Sequence, residues 1–328
     1  MEKIKVGIIG CGHLGKMHIK NIKELEKERK DLELAGVYDI DMEKSFETGK
    51  EFKTKSFDYY NDFISSINAV IIVTPTSSHF DIALKTISNN IHTFIEKPVT
   101  DKIEDALLLK ADHDNHSSTI VQVGHIERFN PALLAVEKHK INPLFIESHR
   151  LSQYNPRGTD VSVIQDLMIH DIDIILSLVK SKVKRIDANG VAIITDKFDI
   201  ANARLQFENG CVANITASRI SQKKMRKMRI FQNNAYISID FSENTSEVFS
   251  LDDTGKSGKV IEKIEKDGKK VNITYDKPKS LKINAMKYEE NSFFDCIVNK
   301  TKPVVSLEDG IQALEVATEI IRIIENKY

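Results

Sequence analysis

The sequence predicts an α/β protein in two parts: a parallel sheet wrapped by helices, then an α+β half built on an open, mostly antiparallel sheet. Three observations carry this. Over residues 1–124 short apolar runs alternate with helical patterns, the rhythm of βαβ units. From about Leu144 the strand candidates instead come as hairpins with turn signals between them. At 328 residues the chain has the length of two domains, which places the break between 1–124 and 125–328.

In the first part, strands are predicted at residues 3–9, 32–38, 69–73, 93–95 and 119–123. Helices are predicted between them at 15–30, 40–51, 78–89 and 103–113. The run 69–73 hardly alternates, as expected of a strand covered on both faces. In the second part, Glu208-Asn209-Gly210 separates strands 201–207 and 211–218, and Asn233-Asn234 separates 229–231 and 236–241. Further strands are expected at 247–251, 258–264 and 270–275, with loops at Asp253-Thr254-Gly255 and Asp267-Gly268. Helices are expected at 161–179, 284–299 and 307–326, the last able to pack back on either domain.

Composition excludes several classes. The 47 basic and 48 acidic side chains nearly cancel, so no bulk field favours nucleic acid or a membrane surface. The basic run Lys223–Arg229 lacks interleaved aromatics and reads as a solvated sheet surface or subunit contact. No stretch approaches the ~18 apolar residues of a bilayer span, and residues 4–9 enter a strand without a leader-like pattern. Cys11, Cys211 and Cys296 lie far apart with no ligand spacing, which suits reduced thiols in the cytoplasm.

Gly10, Gly12 and Gly15 follow the first strand and open a helix, with His13 and Leu14 between them. That context marks a dinucleotide-binding (Rossmann) loop: tight turn, close approach to a pyrophosphate at the helix N-terminus, and close helix–strand packing. Asp39 ends the second strand 24 residues after Gly15, where a carboxylate accepts ribose hydroxyls and repels a 2′-phosphate. NAD is therefore favoured over NADP.

On helix 161–179, Asp166, His170, Asp173 and Ser177 share a narrow stripe, and nearly all other positions except Asp171 are apolar. A thin polar stripe on a buried helix faces a cavity more readily than solvent. Imidazole, with an ordinary pKa near ~6.5, is a natural general base, and Asp166 one turn earlier can orient it. A divalent metal on Asp166, His170 and Asp173 is a weaker alternative.

Thr74-Pro75-Thr76-Ser77-Ser78-His79, Glu96-Lys97-Pro98, Gly124-His125-Ile126-Glu127-Arg128-Phe129-Asn130-Pro131 and Asp166–Asp173 follow the glycine loop in order. With these motifs the chain resembles the Gfo/Idh/MocA oxidoreductase family. The resemblance implies hydride transfer between a nicotinamide and a carbinol carbon of a sugar, polyol or nucleotide-sugar. It implies a second domain, 125–328, that binds substrate and associates through its sheet into a homodimer or homotetramer. It places Thr74, Pro75, His79, Glu96 and Lys97 along the cofactor, and Lys97, Asp166 and His170 at the reacting hydroxyl. Lys97 either polarises the oxygen or takes the proton itself, with His170 the other candidate. The segment from His149 to Asp160 suits a polar substrate, so Arg128, Asn130, Arg150 and Arg157 are expected sugar or pyrophosphate contacts. Within the family the chain looks most like members that oxidise the 3-hydroxyl of UDP-N-acetylglucosamine toward lipid A. Inositol or free-sugar oxidation, an NAD-recycling glycosidase and a silent NAD-sensing scaffold are the alternatives.

Overall fold

The computed structural model describes residues 3–155, 161–252, 258–266 and 269–327. Arg157 and the turns expected at Asp253-Thr254-Gly255 and Asp267-Gly268 lie outside the described residues. The chain divides into two compact units: Met1–Ile126 with Ile283–Leu314, and Glu127–Lys282 with Glu315–Tyr328.

The first unit holds five parallel strands: β1 (Ile4–Ile9), β2 (Leu32–Tyr38), β3 (Ala69–Ile72), β4 (His92–Glu96) and β5 (Val121–Gly124). Their order is β2-β1-β3-β4-β5, so the strand order reverses between β1 and β3, the crevice where such sheets bind ligands. Connecting helices are α1 (His13–Glu28), α2 (Met42–Phe52), α4 (His79–Ser88) and α5 (Ile103–Asn115). A short helix, α3 (Tyr60–Ser65), has no counterpart among the predicted elements; at six residues it is too short to show helical periodicity. β3 is buried at every position, which explains its lack of alternation.

The helix α8 (Ala285–Asn299) belongs to this unit, far along the chain from the sheet it covers. Asn284 caps it, accepting from the Met286 and Lys287 amides. Phe293 and Phe294 join Phe94, Ile8, Ile19 and Ile22 in one buried cluster. Phe94 and Phe293 meet edge to face at 5.8 Å between centroids.

The second unit is organised by a nine-stranded sheet, ordered β13-β14-β12-β11-β10-β6-β9-β8-β7. Its strands are β6 (Phe145–Leu151), β7 (Val183–Val191), β8 (Ile200–Phe207), β9 (Val212–Ser218), β10 (Met225–Gln232), β11 (Ala235–Asp240), β12 (Thr245–Asp252), β13 (Lys259–Lys266) and β14 (Lys269–Asp276). Neighbours run antiparallel except the central pair β6 and β9, which is parallel. β6 and β7 are also absent from the predicted strands: β6 carries glutamate, histidine and arginine, and β7 is half polar. A four-residue helix, α6 (Pro131–Leu134), and the helix α7 (Ile169–Val179) also lie in this unit. The last helix, α9 (Leu307–Glu325), is shared between the two units.

Truncating Phe293 removes a ring that packs across the sheet's covered face. Phe293→Ala should lower unfolding free energy by about 3–5 kcal/mol in urea titration. A loss below about 1 kcal/mol would mean that α8 contributes little to this core.

Candidate active site

The glycine loop is built by close approach of backbone to backbone. Gly10 has φ +103°, and a Cβ there would lie 2.5 Å from the Val73 carbonyl oxygen, so only glycine fits. A Cβ on Gly15 would lie 1.9 Å from the Gly10 oxygen, because α1 rests directly on the loop. Gly12 is different: a Cβ there would meet nothing within 4 Å. It is the N-cap of α1, with no side chain capping the helix amides. Room, outward N–H groups and the positive helix end together fit a diphosphate. His13 beside it is exposed and Leu14 half-buried.

Asp39 is tied to this loop. Its Oδ2 accepts from the Cys11 N–H at 2.7 Å and its Oδ1 from the Asp41 N–H at 3.0 Å. The carboxylate is thus held at the end of β2, where ribose hydroxyls of a dinucleotide are recognised. Cys11 itself is buried, and burial, reinforced by the charge of Asp39, pushes its thiol up to about 11.

Two further loops follow β3 and β4. Pro75 is exposed, and Thr74 accepts a hydrogen bond from Ser78 Oγ at 2.8 Å. His79 is 1% exposed, with Nδ1 2.9 Å from the Pro98 carbonyl and Nε2 2.9 Å from the Thr74 carbonyl. Burial drives its pKa down. His79 therefore braces the two loops from behind. Glu96 and Lys97 are half-buried at the end of β4, and the Lys97–Pro98 peptide is cis.

Behind Glu96 stands a residue outside every motif of the sequence. His18, on the buried face of α1, has Nδ1 2.6 Å from Glu290 Oε1 and Nε2 3.1 Å from Glu96 Oε1. Burial alone would strip its proton, but hydrogen bonds and charge from Glu290 and Glu96 override this and raise its pKa to about 9. A signal for it exists: a histidine among Ile19, Ile22 and Leu25, and two glutamates just before Phe293 and Phe294.

In the second unit, α7 is preceded by a π-helical turn, Ile164–Met168, where the periodicity predicts one continuous α-helix. Asp166 sits on this turn and His170 in the first turn of α7, both half-buried. π turns of this kind concentrate at functional sites. Asp173 and Ser177 complete the stripe. Asp173 is buried and takes a forked pair from Arg128, Nε at 2.6 Å and Nη2 at 2.9 Å. Ser177 Oγ donates to the Ile174 carbonyl at 2.6 Å. The pairing of Asp173 also removes it from the metal alternative.

Arg150 is 2% exposed on β6, donating from Nε and Nη2 to Asp171 at 2.8 and 3.1 Å and from Nη1 to Glu127 at 2.7 Å. Buried and engaged by two carboxylates, it holds α7 against the sheet. Asn130 shares the Glu127 partner. It is buried, its Oδ1 accepts from the Ala132 N–H, and its Nδ2 donates to Glu127 and the Phe241 carbonyl. It is the N-cap of α6, with Pro131 following. Arg128 anchors α7 through Asp173. The basic run falls on β10, where Lys227 lies 3.1 Å from Asp240 and Arg229 3.3 Å from Glu147 on the sheet surface.

Two outcomes test this geometry. Arg150→Met strands two buried carboxylates and should cost about 3–5 kcal/mol in urea unfolding; unchanged stability would contradict the buried network. His18 is raised from 6.5 to about 9, so its stabilising contribution is complete below 6.5 and is lost as pH climbs through about 9. The stability gap between wild type and His18→Gln should shrink between about pH 6 and about pH 9.5. A gap that widens over that window would reverse the sign.

Among the described residues no helix is long and apolar enough to cross a membrane, and no cluster of three or more acidic, histidine or cysteine side chains is arranged to hold a metal.

Residues 4–125 match the NAD-binding Rossmann fold of the Gfo/Idh/MocA oxidoreductase family, and residues 143–238 match a Gfo/Idh/MocA C-terminal domain. UDP-N-acetylglucosamine 3-dehydrogenase of Acidithiobacillus ferrooxidans is 37% identical over 251 residues, 76% of this chain and 78% of that one. A solved structure of that enzyme from the same organism superposes with a TM-score of 0.87 at 30% identity, covering 99% of both chains. The scyllo-inositol 2-dehydrogenase (NAD(+)) of Bacillus subtilis is 28% identical over 240 residues, 67% of this chain and 68% of that one. With its glycine loop, Glu96-Lys97-Pro98 turn and Asp166/His170 helix in place, this chain belongs to the Gfo/Idh/MocA oxidoreductase family.

Proposed function

We propose that this protein is an NAD-dependent dehydrogenase that oxidises a secondary hydroxyl of a nucleotide-sugar, with the 3-hydroxyl of UDP-N-acetylglucosamine as first candidate. The observation that carries the chemistry is the pair Asp166 and His170, both half-buried, on the π turn and in the first turn of α7. The likeness to the Acidithiobacillus enzyme supports the substrate.

Bound NAD supplies the hydride acceptor. The α1 amides hold its diphosphate, Asp39 takes the ribose hydroxyls, and Thr74, Pro75, Glu96 and Lys97 border it. A carbinol carbon releases hydride only as its hydroxyl proton leaves. His170 is suited to take that proton near neutral pH, and Asp166 to orient the imidazole and stabilise its cation. Lys97 polarises the oxygen as its ammonium or, as the neutral amine, takes the proton in its place.

The product would be a 3-keto sugar of the kind transaminated on the way to lipid A, made in the cytoplasm. We further assign the protein a homodimer or homotetramer. An aromatic row of Phe145, Phe231, Tyr236, Phe249 and Tyr275 crosses five strands on one sheet face, with centroids 5.0 to 5.8 Å apart. These rings are partly exposed, and such a face suits a second copy.

NADH absorbance across UDP-N-acetylglucosamine, inositols and free sugars tests the substrate. Turnover is expected first on the nucleotide-sugar; activity confined to inositol would transfer the assignment to the chemistry of the Bacillus relative. Release of an aglycone without net NADH would indicate a glycosidase. Lys97→Ala and His170→Ala should each lower kcat at least ~100-fold, the usual scale of acid–base catalysis. Near-normal turnover in both would remove these roles.

A further inference from the structure

The proposed roles leave unused the most deeply buried charged cluster of the first unit. The side chains of His18 and Glu290 have no exposed surface, and that of Glu96 is 13% exposed. The edge of Phe94 packs against the imidazole at 5.8 Å between centroids. A neutral imidazole has one N–H and one lone pair, yet both ring nitrogens here face carboxylate oxygens. The doubly protonated ring satisfies both at once.

Glu96 is contacted on its other sides as well. Its Oε2 faces the Lys97 N–H at 3.3 Å. Gly124 on β5 leaves no slack behind it, since a Cβ there would lie 3.0 Å from the carboxyl carbon. The carboxylate therefore sits between a buried cation on α1, the wall of β5 and the backbone of the residue that follows it. Without the ring between them, Glu96 and Glu290 become two like charges in a buried site, and such groups either take up a proton or move apart.

We propose that His18 is a positioning residue: backed by Glu290, its imidazole clamps the Glu96 carboxylate and thereby sets the backbone from which Lys97 departs. This goes beyond the proposed function and rests on its reading of Lys97 as a catalytic lysine. The His18 side chain is held by Glu290 and Glu96, and its effect reaches Lys97 through Glu96.

The test uses the full-length protein, with His18→Gln and with Gly124→Ala, which presses on Glu96 without touching His18. The first readout needs no substrate: the backbone amide resonances of Glu96 and Lys97 in TROSY spectra, with thermal melting as the check on folding. Both amides are expected to shift in both folded variants. The second readout is steady-state kinetics with NAD and UDP-N-acetylglucosamine. kcat is expected to fall by ~10-fold or more while KM for NAD stays within about threefold, the pattern of an interaction felt in the transition state.

An unmoved Lys97 amide in the folded variants, or a lower Tm with full kcat, would reduce His18 to a stabilising residue and overturn the proposal. Should His18→Gln fail to fold, Gly124→Ala decides by the same two readouts. If the wild type turns over no sugar, the functional reading falls, and the amide shifts alone decide the clamp.

Discussion

A parallel sheet presents two apolar faces, and both must be covered by helices whose connections suit the strand order. In the first unit the helices between consecutive strands do not complete that cover. The chain returns only after the second sheet has been traced, with α8, whose Phe293 and Phe294 fill the core beside Phe94 and α1. The same return delivers Glu290 to His18. An isolated carboxylate in that environment would be costly, and an isolated imidazolium equally so; with Glu96 as the third member, the ring and the carboxylates offset each other. The hydrophobic closure of the sheet and the charged cluster at the root of the Glu96-Lys97 turn are thus one structural event.

The second unit resolves its acids in a related way. The segment from Gln165 to Asp173 carries three aspartates on a largely apolar helix. Asp171 and Asp173 are buried and paired with Arg150 and Arg128, which lock α7 to the sheet and to the segment after β5. Asp166 stays half-buried on the π turn, with His170 just beyond it. Ion pairing thus makes anchors of Asp171 and Asp173, a role invisible in their spacing.

At the glycine loop the demands are local. A tight turn at Gly10, contact between Gly15 and the loop backbone, and an unobstructed Gly12 each depend on residues close in sequence. Asp39 joins them through one hydrogen bond from Cys11. That is why the dinucleotide site is legible in a short motif and one acid, while His79, which looks like part of it, is a buried brace between two carbonyls.

The α/β character of the first part, the hairpins of the second, the glycine loop with its acid and the motifs that mark the family are all legible in the order of residues. They follow from hydrophobic period, turn chemistry and backbone freedom, which act over a few residues. Other features come into being only when the chain is folded: Arg150 and Asn130 meet on Glu127, β6 runs parallel to β9, the helix before His170 opens into a π turn, and His18 stands between two glutamates. The charged pairings among them depend on which groups meet after burial, and residues 18, 96 and 290 have no local reason to be neighbours. Desolvation makes such pairings obligatory once the fold forms, but the partners are chosen by the fold.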